Sequence, residues 1–183
     1  MRAWLPLALL LTAQRAYAQD TLYHATHREA VGRQVVAIYI GAVDCQPCVW
    51  PDFKAALRRM WPLLAHQAQQ AKTLFATLGV AISEDVDSGL AMLQPLTQCD
   101  ELSIGGSWVN HVAAQYIWAD STGIPAIPQV LVITREVNTT STKSQWSVSP
   151  YRVVFREVGA APLRHWIADG APVAIDPPAG QSH

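Results

Sequence analysis

The 183-residue sequence has few charges, few cysteines and no run of like charge. Only 15% of residues are charged, and thirteen Lys+Arg against fourteen Asp+Glu give a formal net charge of −1. A protein that grips nucleic acid through phosphates carries a basic stripe, and none is present, so no nucleic-acid partner is expected. Three cysteines are too few to staple a small disulfide-rich scaffold. No internal apolar run reaches the roughly 20 residues a membrane-spanning helix needs. What remains is a chain with 50% hydrophobic residues, enough to bury one substantial core.

The first eighteen residues read as a secretory signal. Arg2 supplies the positive start, Ala3 to Ala13 is apolar except for Thr12, and Ala16-Tyr17-Ala18 offers a small-x-small cleavage site. Cleavage there predicts a chain starting at Gln19 that does not span a membrane. Thirteen bases less Arg2 and Arg15, against fourteen acids, then leave a net charge of −3. All three cysteines stay in the exported part, where an oxidising compartment favours disulfides or active redox cycling. A bacterial periplasm is the expected location.

Along the remaining chain, Gln34 to Gly41 is a β-branched and apolar run of the kind buried on both faces of a sheet. Cys45-Gln46-Pro47-Cys48 follows, and then a helix whose buried face carries Phe53, Leu57, Met60 and Leu64. Pro62 should kink or end that helix. Leu78 to Ser83 is the next expected strand and Val86 to Leu96 the next helix. Thr97 to Gly106 reads as a loop carrying Cys99. Ser107 is the expected N-cap of a helix from Trp108 to Ala119, striped by Val109, Val112, Ala113, Tyr116 and Ile117. After Ile124-Pro125-Ala126-Ile127-Pro128, Gln129 to Thr134 and Tyr151 to Val158 predict a long hairpin around a polar segment from Asn138 to Gln145. Pro162 is placed to open a helix from Leu163 to Asp169, stopped by Gly170. The expected domain is 19–170, with an insertion at about 84–107 and a disordered tail over 171–183.

The CxxC spacing has a chemical reading of its own. A thiol at a helix N-terminus meets unsatisfied N–H groups and the positive end of the dipole, which favour thiolate. Cys45 takes that place, and Cys48, one turn in, is within bonding reach. Pro47 has no N–H to lose in the first turn and restricts the reduced loop. Asp44, when ionised, opposes thiolate formation at Cys45. A zinc half-site and an inert staple are the alternatives. There is no second CxxC, and His24 and His27 lie in an N-terminal segment with no reason to fold back, so no metal and no cofactor are expected.

The order of buried strand, CxxC, helix, strand, helix, Ile-Pro before a strand, hairpin and terminal helix resembles the thioredoxin-like family, over roughly 34–170. The resemblance implies an α/β fold with a central mixed β-sheet flanked by helices, here with a helical insertion and a long β-hairpin. It implies that Cys45 is the exposed nucleophile, that Cys48 resolves the mixed disulfide, and that Gln46 and Pro47 complete the motif. It also implies a cis-proline facing the CxxC, Pro128 ahead of Pro125, with the Ile127 backbone pairing with a substrate strand. Two features depart from thioredoxins proper: Asp44 stands where they carry Trp, and Tyr39 holds the position of their buried acid. The implied activity is thiol–disulfide exchange with protein or peptide thiols and disulfides, with a membrane electron donor or acceptor as a candidate partner. The xPC motif slightly favours a reductant over an oxidant or isomerase. A non-catalytic binding or assembly protein is the alternative from another class, and copper or zinc handling the weaker one.

Among the remaining residues, Cys99 reads equally as a functional thiol (an extra exchange partner or an intermolecular bridge) or as an inert buried thiol. Trp50 is expected to pack near the active-site helix. Trp108 and Trp118, off the helical stripe, are candidates for a surface rim.

Overall fold

The structure is a computed structural model that describes residues 31–96, 99–119, 123–139 and 146–176. The predicted signal segment, His24 and His27 lie outside the described residues. β1 (Gly32–Ala42) is the central strand of a six-stranded sheet. Val35, Ala37 and Tyr39 point to one face and Val36, Ile38 and Ile40 to the other, so the strand is buried on both sides. β2 (Leu74–Ile82) and β3 (Glu101–Ile104) extend the sheet in parallel on one side. On the other, β4 (Gln129–Thr139) runs antiparallel to β1, and it pairs in turn with β5 (Trp146–Val148) and β6 (Arg152–Val158).

Helices cover both faces. On one lie α2 (Pro51–Gln70), α3 (Val86–Leu93) and α5 (Ala160–Ala168), which bury Phe53, Leu57, Met60, Leu64, Met92, Leu163 and Trp166 against the sheet. On the other, α4 (His111–Ala113) runs into a π-helical turn, Ala114–Trp118, and buries Ala113, Tyr116 and Ile117 with Cys45 and Cys48. The parallel β1–β2 pair, the antiparallel β4–β6 hairpin beside it and the terminal helix make this a thioredoxin-like fold. No helix among the described residues is long and apolar enough to cross a membrane.

Several local expectations are corrected. Pro62 neither ends nor interrupts α2, which runs eight residues past it. Its ring lies on the exposed side, and the apolar face from Phe53 to Ala68 holds the helix against the sheet despite the lost N–H bond. The segment after Leu96 is not all loop. Four of its residues form β3, an edge strand too short to show a period in sequence and held by the ladder that β2 offers.

The helix expected from Trp108 is broken. Ser107 has φ 47° and opens a 3₁₀ turn, and Asn110 caps α4 by accepting from the Val112 and Ala113 N–H groups. Val109 is consequently outside the buried stripe, 83% exposed. Pro162 is the third residue of α5 rather than the first. Residues 171–176, read from sequence as part of a disordered tail, instead pack on the core (Ala171, Val173 and Ile175). Residues 177–183 lie outside the described residues.

Candidate active site

The chain leaves β1 at Ala42 and turns at once, with the Cys45 N–H donating to the Ala42 carbonyl at 3.3 Å. Cys45 is the N-cap of α1 (Gln46–Val49), a single helical turn with Pro47 in its first two positions. Pro51 ends that turn. It has no N–H and restricts the residue before it, so Trp50 is extended (φ −64°, ψ 132°) and α2 begins afresh at Pro51. The motif therefore sits on a four-residue helix and not at the mouth of a long one, contrary to expectation. What reaches Cys45 is one specific donor, the Cys48 N–H, 3.3 Å from its Sγ.

Cys45 and Cys48 form a disulfide with an S–S distance of 2.08 Å and a Cα–Cα distance of 5.2 Å. Cys48 is 1% exposed and Cys45 9%, so the second sulfur is enclosed while the first keeps a narrow opening. Cys45, expected to be the exposed nucleophile, is therefore nearly enclosed in the oxidised pair. Gln46 beside it is exposed and Pro47 half-buried.

The Ile127–Pro128 bond is the only cis peptide among the described residues, and Pro125 is trans. Register explains the placement: Gln129 pairs with Ile40, so Ile127 and Pro128 continue alongside the end of β1, where the cysteine turn departs. Pro128 is buried, and Ile127, half-buried, packs against the apolar cluster that contains both cysteines. The Pro128 carbonyl accepts from the Gly159 N–H at 2.8 Å, which ties the segment to the end of β6.

Tyr39 projects to the face opposite the cysteine cluster, next to Phe53, and its hydroxyl lies over Gly41, where a Cβ would stand 2.4 Å from it. Burial holds its hydroxyl protonated, well above the ordinary phenol range. Trp50, expected from sequence to pack near the active-site helix, is instead 43% exposed, its backbone set by Pro51. Trp108 and Trp118 meet edge to face with centroids 6.1 Å apart, and both are exposed. With Val43, Val49 and Ile124 they place apolar side chains on the surface in the turns at this end of the sheet. No group of three or more His, Cys, Asp or Glu suited to a metal occurs among the described residues.

One feature of the site was missed in sequence. Gln129 is fully buried and donates to the carbonyls of Ile124 (3.0 Å) and Ala126 (2.7 Å), while its Oε1 accepts from Arg156 (2.9 Å). A polar residue opening an otherwise apolar strand immediately after the Ile-Pro junction was the available signal.

No family model matches this chain, and no curated protein matches it. Among solved structures it is similar to a secreted Mycobacterium tuberculosis disulfide oxidoreductase described as homologous to E. coli DsbE. That match has 11% identity, 74% coverage of this chain, 81% of the other, and a TM-score of 0.34. It is also similar to the M. tuberculosis DsbF structure in mixed oxidised and reduced forms, at 13% identity, 75% and 81% coverage, and a TM-score of 0.31. Likenesses this distant carry no functional inference for this chain.

Proposed function

We propose that this protein is an exported thiol–disulfide oxidoreductase that exchanges electrons between the Cys45/Cys48 pair and the disulfides of protein or peptide substrates. The observation that carries the reading is the asymmetric pair itself: two sulfurs in bonding contact on one helical turn, one enclosed and one reaching the surface. In the reducing direction, the Cys45 thiolate attacks a substrate disulfide, forming a mixed disulfide and expelling one substrate thiolate. Cys48 then attacks Cys45 Sγ, closing the 45–48 bond and releasing the second substrate thiol, so two electrons pass to the substrate. A thiol reductant must reopen the pair, and a membrane electron donor is the candidate in the cell. The resemblance of the xPC motif to reducing members of the thioredoxin-like family slightly favours this direction over oxidation or isomerisation. The N-terminal signal pattern, which lies outside the described residues, supports export to a periplasm.

The protein prepared from Gln19 onward is expected to accelerate insulin reduction by dithiothreitol, and Cys45→Ser to abolish the acceleration. Equal activity in the variant would remove Cys45 as the nucleophile. The narrow opening at Cys45 favours a second reading, a binding or assembly protein that keeps its disulfide closed. That reading requires the 45–48 bond to stay intact in excess dithiothreitol under native conditions.

A further inference from the structure

The segment 123–128 lacks sheet or helix pairing, yet it must present Ile127 beside the cysteines. Two of its carbonyls, Ile124 and Ala126, are held by the single carboxamide of Gln129. Gln129 is held in turn by Arg156 Nη1 across the β4–β6 hairpin, and the same guanidinium donates through Nη2 to the Tyr116 carbonyl at 3.1 Å. That carbonyl lies in the last turn of the α4/π segment, where helix carbonyls lack intrahelical donors. One cation thus joins the hairpin, the π turn and the proline segment on the sheet face that carries Cys45 and Cys48. Bonds from a guanidinium are charge-assisted and directional, so they suit a fixed spacing better than apolar packing would.

We propose that Gln129 and Arg156 are positioning residues, which hold 124–128 in the shape that receives an extended substrate strand next to Cys45. The proposal rests on the disulfide-exchange reading above. It separates two properties that the CxxC motif alone would couple. The chemistry of the sulfurs depends on α1 and the Cys48 N–H, whereas docking of a polypeptide depends on the Arg156–Gln129–carbonyl chain.

The test uses the chain from Gln19 with Arg156→Met, Arg156→Lys and Gln129→Glu. Gln129→Glu keeps an acceptor for Arg156 but turns the two donors toward Ile124 and Ala126 into a repelling carboxylate, so it cuts only the link to the segment. Arg156→Met and Gln129→Glu are each expected to lower kcat/KM for insulin about tenfold or more, chiefly through KM. Arg156→Lys should recover part of that loss, and the equilibrium of the 45–48 pair with glutathione should stay at the parent value in all three. Parent-like KM in both Arg156→Met and Gln129→Glu overturns the proposal, and so does a loss matched by a shifted glutathione equilibrium. If the parent itself does not reduce insulin, the exchange reading fails separately. Amide hydrogen exchange over 123–128 then decides: at least tenfold faster exchange in folded Gln129→Glu supports the buttress, and parent-like exchange overturns it.

Discussion

Cys99 packs against the core that α2 and α3 share with the sheet, and its Sγ fills space beside Gly79, 2.9 Å from where a Cβ there would stand. Burial first, and the Asp100 carboxylate second, raise its thiol from the ordinary 9.0 to about 11. The folded chain therefore keeps this thiol protonated where the unfolded chain would ionise it. Its contribution to stability is complete below pH 9 and is lost as pH rises through about 11. At pH 8, iodoacetamide should label Cys99 at least about a hundredfold more slowly in the native protein than in denaturant. Comparable rates in the two states would show the thiol is open. Of the two readings that composition left level, the structure favours the inert thiol, because neighbours in space and not in sequence set its burial. By contrast the 45–48 pairing was legible, since two intervening residues leave the sulfurs within reach on any helical turn.

At the scale of elements, α1 and α2 show prolines acting oppositely. Pro51 divides what sequence reads as one helix, because it constrains Trp50 as well as itself. Pro62 divides nothing, since Met60, Trp61 and Leu64 around it are buried and supply what the missing bond removes. Its cost persists in the folded state, where an exposed helix-interior proline is among the least favourable residues. Pro62→Ala is therefore expected to raise stability by about 1–3 kcal/mol in urea unfolding. A variant less stable than the parent would mean the ring makes contacts worth more than the bond. The edge strand β3 and the broken α4 escaped the sequence reading for a shared reason. Both are too short for hydrophobic period to register, and both are shaped by partners elsewhere: β2 for the strand, and Gly105 and Ser103 bonding to Asn110 for the helix start.

For the molecule as a whole, the chain after α5 closes one side of the core. Gln67 on α2 donates to the carbonyls of Gly170 (3.3 Å) and Ala171 (2.9 Å) and accepts from the Val173 N–H (3.0 Å). The Trp166 indole N–H donates to the Pro172 carbonyl, and Arg152 pairs with Asp176. The exposed ion pair contributes little. Burial of Ala171, Val173 and Ile175 with the Gln67 bonds contributes more, so ending the chain at Gly170 should cost about 2–4 kcal/mol relative to ending it at Asp176. Equal melting temperatures for the two would make 171–176 an ornament.

Sequence alone determined the class of the fold and the position of the sulfur pair, because both follow from local pattern: a doubly buried strand, a CxxC, an Ile-Pro junction and their order. It could not determine how far Cys45 opens to solvent, which of Pro125 and Pro128 adopts cis geometry, or that Gln129 and Arg156 meet behind the proline segment. Those outcomes depend on residues distant along the chain, Arg156 on β6 and Tyr116 on the π turn among them, which only strand register and helix packing bring together.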